Sequence, residues 1–230
     1  MKEVLRDVLE FFYPRICNGC GQPLFKGENT ICLNCHIQLP RTEFHFSPGN
    51  AIEQIFWGRL PILHASSFLY YRKSGITQRL VHGLKYGGKP EIGRHLGYLY
   101  GQEVKEAFIK ISPDIITTVP LHPQKLNARG FNQSDEIAKG FSEATGIPFV
   151  PDVLVRNKST ETQTKRKRYQ RWENMENRFE LNTEIDSLGK HIILMDDVIT
   201  TGSTLEACGK VLLTCKDASL SLVSLCFSIH

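Results

Sequence analysis

The sequence predicts an α/β domain, a mostly parallel sheet flanked by helices, behind a small N-terminal module of the zinc-ribbon type. Three observations carry this. From about residue 60 onward, short apolar runs alternate with amphipathic stripes, as in a sheet with both faces covered. Four cysteines crowd residues 17–35 in two C-x-x-C pairs. An apolar run ending on two adjacent acids, Asp196 and Asp197, opens into a turn rich in Thr, Gly and Ser. The 230 residues suffice for one domain of about 150–200 residues with a module attached. At 41% hydrophobic and 23% charged residues, the composition is that of a globular chain and excludes a disordered or collagen-like one.

The first residues, MKEVLRDVLEFFYP, mix Glu3, Arg6, Asp7 and Glu10 with apolar side chains, which argues against a signal peptide. Val4, Leu5, Val8, Leu9 and Phe12 fall at helical spacing, so an amphipathic helix is expected to end before Pro14. Residues 1–40 are read as this helix plus the cysteine module. Cys17-Asn18-Gly19-Cys20 and Cys32-Leu33-Asn34-Cys35 are two knuckles whose short spacers turn their thiolates to one side. Cys17, Cys20, Cys32 and Cys35 are therefore the candidate ligands of a structural Zn²⁺, with no position left open for catalysis. A redox C-x-x-C pair or plain buried cysteines are the other readings. Seven cysteines, an odd number, with no export signal point to a reduced, cytoplasmic protein. No apolar window reaches membrane-spanning length, so no membrane insertion is expected.

The larger domain is assigned to residues 60–230. Ala65–Tyr71 reads as a strand, and Ile76, Leu80, Val81 and Leu84 as a helical stripe that breaks at Gly87-Gly88-Lys89-Pro90. A glycine-interrupted helix follows from Ile92 to about Phe108, then a short buried strand, Ile115–Val119. Ser134–Ala144 is expected to be a helix closed by Gly146, and Val153–Arg156 a short strand. His191–Met195 forms a strand, Leu205–Leu213 a helix carrying Cys208 and Cys215 on one face, and Leu220–Phe227 a last strand. His82, on the helical stripe, is expected to be a packed histidine.

The stretch His191 to Thr204 is the most informative. Ligands of open α/β sheets bind beyond the carboxyl ends of the strands, where Asp196 and Asp197 stand. Thr200, Thr201, Gly202, Ser203 and Thr204 offer backbone N–H groups, four hydroxyls and a helix N-terminus, a cradle for a phosphate monoester. The two carboxylates are suited to ribose hydroxyls, or to positive charge developing on a sugar. An acidic strand end that merely caps the next helix would use one Asp and one Ser, not the whole set.

This segment closely resembles the phosphoribosyl-pyrophosphate (PRPP) motif of type I phosphoribosyltransferases. The likeness extends to Val119-Pro120-Leu121-His122-Pro123, Asn127–Ser134, Lys85-Tyr86-Gly87-Gly88-Lys89 and the spaced Thr160, Gln163, Arg171, Asn174 and Phe179, which together resemble the ComF family. The resemblance implies a type I phosphoribosyltransferase-like fold behind a four-cysteine zinc module. It also implies Mg²⁺ bound with PRPP and a part in uptake of single-stranded DNA during natural competence, alongside a competence helicase. By the same resemblance, Asp196 and Asp197 would be catalytic and contact the ribose. Thr200–Thr204 would hold the 5′-phosphate, and the loop of Pro120, Leu121 and His122, with Arg129, would grip pyrophosphate. In many relatives that loop carries a cis peptide. Residues 156–178 correspond to a flexible hood over the substrate, with a departure at Arg166, where the family often has an apolar residue.

From Arg156 to Arg178 there are eight basic and three acidic residues, a local +5 within a chain of net +4. Lys165, Arg166, Lys167, Arg168 and Arg171 could meet the leaving pyrophosphate. With Tyr169 and Trp172 interleaved they could instead bind a single strand by charge and stacking. A solvated charge run is the plain alternative. Two functions follow: a phosphoribosyltransferase acting on an unidentified nitrogenous acceptor, or a non-catalytic single-strand-binding competence factor that keeps the fold as a ligand-sensing scaffold. Walker A, G-x-G-x-x-G and Ser/His/Asp patterns are absent from the sequence, which disfavours ATPase, dinucleotide and hydrolase readings.

Overall fold

The structure is a computed structural model that describes residues 14–156, 178–185 and 189–228. The expected N-terminal helix and the basic residues 165–171 lie outside the described residues. In chain order the helices are α1 (Leu33–Ile37), α2 (Ala51–Phe56), α3 (Ile76–Tyr86), α4 (Pro90–Ile111), α5 (Pro123–Arg129), α6 (Gln133–Thr145) and α7 (Ser203–Leu212). The strands are β1 (His64–Tyr71), β2 (Ile115–Thr118), β3 (Leu154–Arg156), β4 (Phe179–Leu181), β5 (His191–Ile199) and β6 (Ser219–Ser228).

Four strands form one parallel sheet in the order β1-β6-β5-β2. The two central strands read Ile-Ile-Leu-Met and Leu-Ser-Leu-Val because both of their faces are covered. One covering layer joins Leu80, Leu84, Leu96, Tyr100, Ile137 and Phe141 to the sheet, and the cysteine module enters the same cluster through Cys17, Ile31, Cys35 and Leu39. On the other side, Phe56, Leu60, Leu205, Cys208 and Leu212 pack beneath Ile192, Leu194 and Leu222. This is the expected fold class.

Local chemistry sets the ends of these helices. Pro90 opens α4 at a first-turn position that needs no N–H donor, and Gly146 closes α6 in the left-handed conformation. Asn132 caps α6 through Ser134 N at 3.2 Å.

Helices α4 and α6 approach backbone to backbone at their glycines. A Cβ on Gly97 would collide with the Ile137 carbonyl oxygen, and one on Gly140 with that of Arg94. Gly140→Ala must push the helices apart, an overpacking cost at or above the top of the usual range of about 1–3 kcal/mol. The expected outcome is a clear fall in the thermal midpoint; an unchanged midpoint would show that the crossing can relax.

The structure departs from the sequence reading at five places. The 153–156 segment does not join the main sheet: β3 pairs antiparallel with β4 in a separate two-stranded sheet. Residues 123–129, to which the sequence reading gives no element, form α5, started by Pro123 behind the His122 cap. All peptides among the described residues are trans, including those of the 119–123 loop. Cys215 lies past the end of α7, so it does not share a helix face with buried Cys208. His82 is exposed rather than packed, with its ring against Tyr86.

Candidate functional site

Strand β5 does not stop at Met195. It runs on through both acids to Ile199, still paired to β6 by Asp196↔Ser224 and Ile199↔Phe227. Its other neighbour, β2, gives its last bond from Val119 N to the Met195 carbonyl oxygen (3.1 Å), so the acids emerge where the sheet loses a strand. Successive residues of a strand point to opposite faces, and the two carboxylates accordingly find different partners.

Asp196 Oδ1 accepts from Ser134 Oγ (3.2 Å) at the start of α6 and from Asp197 N (2.8 Å). Burial, and then repulsion from Asp197, push its carboxyl up to about 7, against the pull of the Asp197 N–H, Lys85 and Ser134. Asp197 is 5% exposed, and its Oδ2 lies 3.0 Å from Lys85 Nζ, brought in by the last turn of α3. That oxygen has the lysine charge beside it but no well-aligned hydrogen bond.

The pH dependence of stability has a defined sign. Unfolded Asp196 would release its proton near the ordinary carboxylate value of about 4. Between there and about 7 the folded chain holds the extra proton, so this group's contribution falls as pH rises through that window and levels off above it. Asp196→Asn is expected to flatten that slope and to gain stability relative to wild type at pH 8. Denaturant midpoints at pH 5.5 and 8 for both proteins check this, and parallel profiles would contradict it.

The turn after β5 is shaped by glycine. Gly202 has φ +72°, and a Cβ there would lie 2.7 Å from Phe56 Cζ and 3.1 Å from Ile55 Cγ2. Helix α2 thus presses the turn into place from below, which explains an otherwise isolated short helix. Thr201 Oγ1 and Ser203 Oγ lie 2.9 Å apart, and α7 starts at Ser203 with its first-turn N–H groups directed toward the same space. Arg59, which sequence reasoning missed, ties this turn down: Nη1 donates to the Thr201 carbonyl oxygen (3.1 Å) and Nε to Glu206 Oε2 (3.0 Å). Its position after α2 carries no local signal; only the tertiary contact shows it.

The 119–123 loop is moored to α6. Asn132 Nδ2 donates to the Val119 carbonyl oxygen (3.2 Å) and to Asp135 Oδ1 (2.8 Å), which also accepts from Thr118 Oγ1 (2.5 Å). Pro120 and Leu121 are half-buried, and His122 Nδ1 caps α5 by accepting from Gln124 N (3.2 Å). Arg129 lies at the end of α5, bonded to Gln133 with its guanidinium 5.7 Å from the Tyr86 ring centroid. Lys165, Arg166, Lys167, Arg168 and Arg171 lie outside the described residues. Lys85 and Ser134 were visible in the sequence only as members of family-like motifs, without a role.

The second cluster is the cysteine module. The sulfurs of Cys17, Cys20, Cys32 and Cys35 all lie within 4.8 Å of one another, with Cys20 and Cys32 3.7 Å apart. Bonds of about 2.3 Å at tetrahedral angles would separate sulfurs by about 3.8 Å, so the set fits a four-thiolate ion. Cys17 Sγ accepts from Gly19 N (3.3 Å) and Cys32 N (3.2 Å). Burial opposes ionisation of Cys17, but backbone N–H groups of Cys32, Cys20 and Gly19 outweigh it and bring the thiol down to about 7. The module is hooked onto α3 and the start of α4. Arg79 Nε donates to the Gly19 carbonyl oxygen, and Lys89 Nζ to Asn18 Oδ1 (2.7 Å).

A parallel sheet, paired acids at the end of its central strand and a hydroxyl-lined turn into a helix define a phosphoribosyltransferase-type domain. The family model described as "Phosphoribosyl transferase domain" matches residues 97–230. DNA utilization protein YhgH of Escherichia coli K12 is 30% identical over 215 residues, covering 92% of this chain and 89% of its own length. Competence protein F of Haemophilus influenzae is 29% identical over 86% of this chain and 83% of its own. Competence protein ComFC of Bacillus subtilis is 24% identical over 90% and 75%. The chain belongs to the ComF family of phosphoribosyltransferase-like proteins.

No helix among the described residues is long and apolar enough to cross a membrane.

Proposed function

We propose that residues 196–204 bind the ribose and 5′-phosphate of PRPP, and that the chain transfers phosphoribose to a nitrogenous acceptor in the handling of single-stranded DNA. The observation that carries this is the pairing of two acids in distinct surroundings with a glycine-shaped hydroxyl turn at a helix start. Asp197, charged against Lys85, is suited to accept from a ribose hydroxyl, and Asp196 sits beside it with a raised carboxyl. The first turn of α7 and the hydroxyls of Thr200, Thr201, Ser203 and Thr204 are donors for the phosphate.

Mg²⁺ bound with PRPP would offset the charge of its pyrophosphate, and the hard oxygens of the acid pair suit such an ion. As an acceptor nitrogen bonds to C1, the C1–O bond breaks, its electron pair leaves with pyrophosphate, and any acceptor N–H proton passes to solvent. The protein's contribution is positioning and electrostatic stabilisation of the oxocarbenium-like state. In this reading the four thiolates hold a structural Zn²⁺, and the domain boundaries are a module over 1–40 and a phosphoribosyltransferase-like domain over 60–230. The names of the relatives support a place in DNA utilization and competence.

The local +5 between Arg156 and Arg178 favours a second reading, single-strand binding without transfer. Calorimetric titration with Mg–PRPP, followed by assay of pyrophosphate release with bases and oligonucleotides, separates them. Binding with release supports transfer, and binding without release across the panel leaves the sensing scaffold. No PRPP binding removes both uses of the site.

A further inference from the structure

Helix α3 ends on two neighbouring residues with opposite destinations. Lys85 turns inward to Asp197, while Tyr86, one residue on, stands 72% exposed. A tyrosine side chain presents a large apolar face with a polar tip, a surface on which another flat ring can stack. Two groups already frame the ring. His82, four residues earlier on the same helix face, has its ring centroid 5.1 Å away at an interplanar angle of 48°. Arg129 reaches across from the end of α5 to place its guanidinium 5.7 Å from the Tyr86 centroid, held by Gln133. The chain then continues through Gly87 and Gly88, which project no side chain over the ring; a Cβ on Gly88 would meet nothing within 4 Å.

The result is an open aromatic ring backed by a tethered planar cation, one residue from the lysine that touches the acid pair. That combination suits a flat, nitrogen-containing ring bearing a phosphate. The ring stacks on Tyr86, and Arg129 meets the ring edge or the phosphate. We propose that Tyr86, with Arg129 and His82, is the stacking platform for the acceptor's nucleobase. This rests on the transfer reading above and specifies which surface presents the acceptor to the sugar. It gives Arg129, which contacts Tyr86 and Gln133, a role toward the acceptor in place of one in the pyrophosphate loop.

A free nucleotide and a nucleobase within a single strand present the same chemistry, and the test separates them. Adenosine 5′-monophosphate and an eight-residue oligodeoxyadenylate are titrated into the full chain, with and without Mg–PRPP. Wild type is compared with Tyr86→Phe, Tyr86→Ser and Arg129→Gln, and thermal midpoints confirm that each variant is folded. Tyr86→Ser is expected to weaken binding about tenfold or more, while Tyr86→Phe keeps the wild-type affinity. Arg129→Gln is expected to weaken it and to reduce its salt dependence. Tyr86-dependence with both probes assigns the platform to nucleotides in general, and with the oligomer alone to a strand. Equal affinities for wild type and Tyr86→Ser, or no binding of either probe in any condition, overturn the proposal. Failure of Mg–PRPP to bind wild type in its own titration would instead defeat the transfer reading, leaving the ring affinity to be judged on Tyr86 alone.

Discussion

Asp197→Asn is expected to weaken Mg–PRPP binding by roughly one to two orders of magnitude while leaving the chain folded. A hydrogen bond from a ribose hydroxyl to a charged acceptor is worth about 1.5–3 kcal/mol, and the amide forfeits most of that. The fold tolerates the change because the stranded partner is Lys85, whose side chain is 22% exposed and can turn its ammonium to water. Lys85→Met has the opposite profile. It leaves Asp197 charged and buried with no cation beside it, a situation that costs about 3–5 kcal/mol. Without the lysine, Asp196 also loses a cation that holds its carboxyl down, so that carboxyl rises further. The double variant Lys85→Met/Asp197→Asn should recover much of the stability lost by Lys85→Met without recovering PRPP affinity. Denaturant midpoints and calorimetry on the three variants test this. A Lys85→Met protein as stable as wild type would mean that the ion pair contributes nothing to the fold.

Removing the Zn²⁺ proposed for the four thiolates is the second large expected effect. Cys17 and Cys35 are buried in the same cluster as Phe68, Leu80 and Leu84, so the module is part of the core rather than an appendage. Four thiols packed within 4.8 Å would repel once ionised, and an ion in their midst converts that repulsion into binding. For isolated zinc modules such binding amounts to about 10–16 kcal/mol of folding free energy. Purified protein should contain one zinc per chain. Chelation, or Cys35→Ser, should lower the thermal midpoint by more than about 10 °C. The damage should reach the acid pair as well, because Arg79 and Lys89 hold the module against α3 and α4, and α3 delivers Lys85. An unchanged midpoint after complete metal removal would contradict this account.

What the sequence made legible follows the range of the forces involved. The main strands were visible because both faces of the sheet are covered, which writes near-continuous apolar runs such as Ile192–Met195. Helices α3, α4 and α6 were visible from stripes bounded by local signals: Gly87 ends α3, Pro90 opens α4 and Gly146 closes α6. The four thiols were legible from spacing, because two knuckles encode their own geometry.

Contacts between distant residues were not legible. Nothing near Lys85 announces a partner 112 positions away; the pair exists because α3 ends over the end of β5. Arg59 under the 200–204 turn and the Arg129–Tyr86 contact are products of the same topology. The 153–156 segment illustrates the converse: its apolar run was read correctly as a strand, but its partner β4 lies beyond the basic segment and no local feature names it.

The most direct measurement is a crystal structure of the chain grown with Mg–PRPP. The account predicts ribose hydroxyls on the Asp196–Asp197 carboxylates, the 5′-phosphate seated on the backbone N–H groups and hydroxyls of 200–204, and Lys85 drawn from Asp197 toward the ligand. Well-ordered PRPP bound elsewhere, with Lys85 still on Asp197 and the 196–204 stretch empty, would contradict it.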